Sequence, residues 1–128
     1  MPGPPNPKTE QVLLHGTTLR RAQTIVTTGQ FSPTESLYVV FQSNRDLAEI
    51  FACRKAAREH DLPAVVRIVV DDADFRSVRQ RGDAKLVPFD EGDDPNLRSR
   101  NQWVILPGGV QFLNARLNSV ESLLIAMR

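Results

Sequence analysis

Three side chains with chemical potential stand in or beside short apolar runs. His15 follows Gln11–Leu14 and precedes Gly16-Thr17-Thr18, Tyr38 lies inside Leu37–Phe41, and Gln102 opens Gln102–Leu106. An imidazole at a strand end either satisfies backbone groups of its own turn or serves a ligand. A phenol in an apolar strand either packs in a core or offers a flat stacking face. A carboxamide hydrogen-bonds without carrying charge. Arg20 and Arg21 follow the His-Gly-Thr step, and Arg98 and Arg100 precede Gln102. These arginines suit either a solvated surface or an anionic ligand. Cys53 is the only cysteine and adjoins Arg54 and Lys55. Basic neighbours favour a thiolate, but a lone helical cysteine is expected to pack as a small hydrophobe. His60 falls near a predicted helix C-terminus, where a cation meets the negative end of the dipole.

Other chemistries lack their residues. The chain has no P-loop, no H-E-x-x-H, no G-x-S-x-G and no G-x-G-x-x-G. A single cysteine excludes an internal disulfide and a multi-Cys zinc site. His15 and His60 are far apart in sequence, and no spacing of carboxylates completes a metal set.

The elements that must position these side chains follow from hydrophobic periodicity. Gln11–Leu14 predicts a strand. Thr17 or Thr18 then caps a helix whose apolar face is Leu19, Ala22, Ile25 and Val26, with Gly29 as its stop. Ser36–Gln42 predicts a second strand. Ser43 to Asp46 has the form of a capping box ahead of a helix that runs to about His60. Ala64–Val70 is almost continuously apolar and predicts a strand buried on both faces, ended by Asp71–Asp74. A short strand is expected at Lys85–Phe89. Gln102–Leu106 predicts another, stopped by Pro107-Gly108-Gly109, and Val120–Met127 a last one. Strands and helices mix without regular βαβ alternation, which points to an α+β fold.

The chain has 128 residues, 41% hydrophobic and 24% charged, with sixteen basic and fifteen acidic side chains. That composition describes one globular domain. Bulk charge does not point to nucleic acid, and no run approaches the ~20 apolar residues that span a bilayer. Residues 1–10 hold four prolines and a glycine, so they are expected to form a flexible lead-in. The domain is expected over 11–128, without a secretory signal.

Three segments together resemble a known family. They are L-L-H-G-T-T with Ala22, Ile25 and Gly29 behind it; L-Y-V-V-F with Ala48, Phe51 and Ala52 behind it; and N-Q-W-V-I-L-P at Asn101–Pro107. From Leu13 to Pro107, in this order and spacing, the chain resembles the ADP-ribosyltransferase superfamily. It looks most like the His-Tyr-Glu branch of poly(ADP-ribose)-polymerase-like enzymes and bacterial toxins. The resemblance implies an α+β fold with a split, mainly antiparallel sheet and two principal helices.

It also implies a site. His15 would hydrogen-bond a ribose hydroxyl of NAD, the backbone of Gly16 would hold the nicotinamide carboxamide, and Thr17 would support the turn or touch the ribose. Tyr38 would stack on the nicotinamide ring. Phe51 and Arg20 complete the expected cofactor-binding set, with Arg21 also in reach of the phosphates. The expected catalytic residues are His15, Tyr38 and the residue at 102, where the family's glutamate is replaced by Gln102. Breaking the bond to nicotinamide builds positive charge on the ribose. Losing a preorganised group that stabilises such charge typically costs ~3–4 kcal/mol, about 10²–10³ in rate. Gln102 therefore marks either a natural pseudo-enzyme or an inactivating change of Glu to Gln.

The implied function is a mono-ADP-ribosyltransferase, a bacterial-type toxin or effector domain. Its substrate would be NAD, with no metal. Its partners would be a protein or nucleic-acid acceptor and an antitoxin or immunity protein, with no membrane. Its place would be the cytoplasm, its own or a target cell's. The main alternative is a catalytically dead module that binds NAD, another nucleotide or a protein. RNA 2′-phosphotransfer would need several converging arginines, with only Arg20, Arg21, Arg98 and Arg100 as candidates. A plain structural or immunity protein would lack the pocket.

Overall fold

The structure is a computed structural model, and it describes residues 9–88 and 101–124. The expectations for most of the proline-rich lead-in, for Arg98 and Arg100 and for the last residues of the chain lie outside the described residues.

The chain runs β1 (Glu10–Thr18), α1 (Leu19–Thr28), β2 (Leu37–Phe41), a 3-10 turn (Gln42–Asn44), α2 (Arg45–Glu59), β3 (Pro63–Asp71), α3 (Asp72–Gln80), β4 (Ala84–Pro88), β5 (Asn101–Ile105), α4 (Pro107–Asn114) and β6 (Ser119–Leu124). The six strands form one sheet in the order β4-β5-β2-β1-β3-β6, with every neighbouring pair antiparallel. The fold is α+β with an antiparallel core.

Helices cover both faces of the sheet. On one face, Ala22 of α1, Phe75 and Val78 of α3, and Val110 and Leu113 of α4 pack on Leu13, Val39, Val66, Ile68, Val70 and Ile105. On the other, Leu47, Ala48 and Ala52 of α2 pack on Leu14, Val40 and Val65. Alternate residues of β1 and β3 thus enter different cores, which is why Ala64–Val70 shows no polar alternation. Its one charged member, Arg67, lies 3.6 Å from Glu121 on β6, its cross-strand partner.

The first helix forms as its sequence dictates. Thr18 caps α1 by accepting from the Arg21 N–H, and Gly29 closes it at φ 70°. The capping box at Ser43–Asp46 does not form. The 3-10 turn takes up its first residues, and Asn44 becomes the N-cap without a side-chain cap bond. β1 is also longer than the apolar run Gln11–Leu14, because all of it pairs with β3, from Glu10↔Asp71 to Thr18↔Pro63.

Two helices depart from the sequence reading. Asp71–Asp74 ends β3 but also starts α3, because carboxylates in a first turn favour the positive end of the helix dipole. Pro107-Gly108-Gly109 stops β5 but also opens α4. Proline suits the first helical position, where its missing N–H has no partner to lose. Gly109 then permits close packing: a Cβ there would lie 2.8 Å from Val78 Cγ1 and 2.9 Å from Ile105 Cγ2.

Candidate functional site

The sheet is unevenly joined. β1 pairs with β3 along its whole length, but with β2 only at Leu13↔Phe41 and Leu14↔Val40. Beyond Leu14 the two strands part, and His15 stands at the fork. Its Nδ1 lies 2.7 Å from the carbonyl oxygen of Tyr38. A carbonyl only accepts, so Nδ1 carries the proton and donates. Burial pushes the His15 pKa down from 6.5 to about 4, with Lys55 and Arg21 adding to the fall and the Tyr38 bond opposing it. The ring is therefore neutral at pH 7, and its Nε2 presents a lone pair. Such a nitrogen accepts from a hydroxyl or an N–H.

Phe31 meets His15 edge to face, with centroids 5.8 Å apart. Phe31 is itself held from α4. Its N–H donates to Asn114 Oδ1 and its carbonyl accepts from Asn114 Nδ2, both at 2.9 Å. One amide side chain thus fixes the loop between α1 and β2, and that loop presses the ring that braces His15.

The fork opens on a cleft of about 770 Å³ whose lining includes His15, Thr17, Arg20, Arg21, Phe31 and Tyr38. Tyr38 is 50% exposed, while its neighbours Leu37 and Val39 are buried. Its ring is a free face rather than core. Thr17 is fully buried, and its hydroxyl has no hydrogen-bond partner. The opening of α1 is already satisfied: Leu19 N–H donates to Leu62 O, Arg20 N–H to Asp61 Oδ2 and Arg21 N–H to Thr18 Oγ1.

Of the residues expected at the site, the structure gathers His15, Thr17, Arg20, Arg21 and Tyr38 on the cleft. Gly16 turns the other way. A Cβ on it would overlap the Ala48 carbonyl oxygen and lie 2.8 Å from Ala52 N, so glycine here lets α2 approach β1. Phe51 packs against the Leu14–Val40–Leu47 core and is not on the cleft wall. Gln102 is not on the wall either. Tyr38 pairs with Val104, so Gln102 sits diagonally from Tyr38 on the same side of the sheet. Its Oε1 is buried without a partner. Cys53 is exposed, contrary to the expectation of a buried cysteine. His60 ends α2 in the left-handed conformation at φ 54°.

Sequence reasoning missed Glu35, Lys55 and Glu59, which also line the cleft. Lys55 and Glu59 are four apart on α2, a spacing that marks one face of a helix. Nothing local shows that this face meets the start of α1, where Glu59 Oε1 lies 2.8 Å from Arg21 Nε. Among the described residues, no group of His, Cys, Asp or Glu could hold a metal ion, and no helix is long and apolar enough to cross a membrane. No family model, curated protein or solved structure matches the chain.

Proposed function

We propose that the cleft binds NAD and that the domain is an ADP-ribosyltransferase of the mono-transferring, toxin-like kind, weakened by Gln102. The observation that carries this reading is the join between His15 and Tyr38 at the fork of the sheet. The imidazole holds the Tyr38 backbone, and the neutral imidazole acceptor and the exposed phenol ring both line one cleft. A nucleoside ribose offers hydroxyl donors to Nε2, and nicotinamide offers a flat face to Tyr38. β1 has no β2 partner beyond Leu14, which leaves that stretch of its edge for a carboxamide to pair with.

In the proposed reaction the bond between ribose C1′ and the nicotinamide nitrogen breaks. Nicotinamide leaves with the bonding pair, and an acceptor nucleophile bonds to C1′ and gives up its proton. A carboxylate near the ribose would stabilise the positive charge of that transition state. Gln102 supplies none. The acceptor is a protein or a nucleic acid.

Calorimetric titration of NAD into the protein and into Gln102→Glu tests the reading. Binding to both, with nicotinamide release or toxicity gained by Gln102→Glu, is the expected result. No binding heat from either protein overturns it. Labelling of a lysate with Gln102→Glu and labelled NAD, followed by separate nuclease and protease digestion, then names the acceptor class.

One observation favours the second reading, a module that binds without transfer. The side chain at 102 is neutral and lies off the cleft wall. Retained NAD binding with no nicotinamide release from Gln102→Glu would select that reading.

A further inference from the structure

We propose that the cleft holds a phosphate-type dianion between the guanidinium of Arg21 and the ammonium of Lys55, with Glu59 as the residue that positions Arg21. The inference deepens the NAD reading, and its assignment to the diphosphate of that dinucleotide rests on it.

The three side chains come from two helices that meet at the forked end of the sheet. Arg21 is in the first turn of α1, and Lys55 and Glu59 are in the last turns of α2. Glu59 takes the Nε of Arg21 at 2.8 Å, a bond that leaves the two Nη groups unspent. A guanidinium anchored at Nε presents its Nη groups to an oxyanion with little further loss of freedom. Lys55 is half-buried, and none of the hydrogen bonds or ion pairs found among the described residues involves it. Burial and then the charge of Arg21 push its pKa down, against the opposing pull of Glu59 and Glu35 on the same cleft. Arg21 and Lys55 also both depress His15, so the two cations converge on the same neighbourhood. Two cations on the wall of one cleft, one of them half-buried, are stabilised by a shared anion. The first amides of α1 are not available for that task, because they are already taken. At this helix start, side chains must do the binding.

The test is calorimetry at low ionic strength with inorganic pyrophosphate, ADP-ribose, NAD, nicotinamide and a 5′-phosphorylated oligonucleotide. Lys55→Gln and Arg21→Gln are each expected to weaken pyrophosphate and ADP-ribose about tenfold, leave nicotinamide unchanged, and keep the native circular dichroism. Lys55→Arg should restore binding. Glu59→Gln keeps an acceptor for Nε while removing a negative charge, so it should tighten pyrophosphate, whereas Glu59→Ala frees the guanidinium and should weaken it. A Glu59 that only supports the fold would move both the same way.

The clamp is overturned if pyrophosphate fails to bind the wild-type protein, or binds Lys55→Gln and Arg21→Gln equally well. NAD binding that ignores both substitutions sinks the clamp and spares the NAD reading. Pyrophosphate binding that needs both cations, with NAD no tighter, sustains the clamp and sinks the NAD reading. An oligonucleotide that binds more tightly than ADP-ribose, with the same dependence, sustains the clamp and assigns its anion to a nucleic-acid end.

Discussion

At the scale of single residues, His15 makes the sharpest prediction. Its folded pKa of about 4 lies below the ordinary 6.5, so the unfolded chain takes up the proton first as pH falls. The contribution of the neutral ring is whole above about pH 6.5 and drains away as pH drops towards 4. For a partly screened ring the loss is about 2–3 kcal/mol. Urea unfolding of the wild type and of His15→Gln should give curves of midpoint against pH that converge in this window. Parallel curves would show that the ring does not titrate as proposed. Gly16 predicts a packing failure instead. Gly16→Ala drives a methyl group into the α2 backbone, and urea unfolding should show a loss of ~3 kcal/mol or more. A neutral outcome would mean that α2 can slide away at little cost.

At the scale of elements, Asn114 ties α4 to the loop before β2. Asn114→Ala removes both bonds to the Phe31 backbone. It should lower unfolding free energy by about 1–3 kcal/mol and quicken amide exchange at Phe31. Unchanged exchange would release the loop from this role. Elements with an uninterrupted period were legible in the sequence. α1 announces both its cap and its stop, and β3 announces burial on two faces. α3 and α4 were not legible, because Asp71–Asp74 and Pro107–Gly109 carry two meanings at once. The residues that end a strand are also those that open a helix, and only the tertiary partners of Phe75, Val78 and Val110 decide between them. The site was legible where it lies on strand ends, at His15 and Tyr38. Lys55 and Glu59 were hidden because helix spacing tells which residues share a face, not what that face meets.

At the scale of the whole molecule, the sheet is two blocks, β4-β5-β2 and β1-β3-β6, fastened to each other at Leu13↔Phe41 and Leu14↔Val40. On the α2 side, α2 spans the boundary by resting on Leu14, Val40 and Val65. The cleft lies at the open end of this boundary, so its width is set by how the blocks lean on one another. A nucleotide bound there as proposed would touch both blocks, and it should raise the thermal midpoint and slow amide exchange across the seam. A thermal melt with and without ADP-ribose, joined to amide exchange at Val39 and Val40, measures this. Unaltered exchange there would mean that the blocks are already immobile.

The short seam also sets a mechanical order. Pulled apart from their outer rims, the halves should unzip from the notch at His15 towards Leu13, much as a tear runs from a nick in cloth. A guest seated in the notch would blunt the tip of that tear.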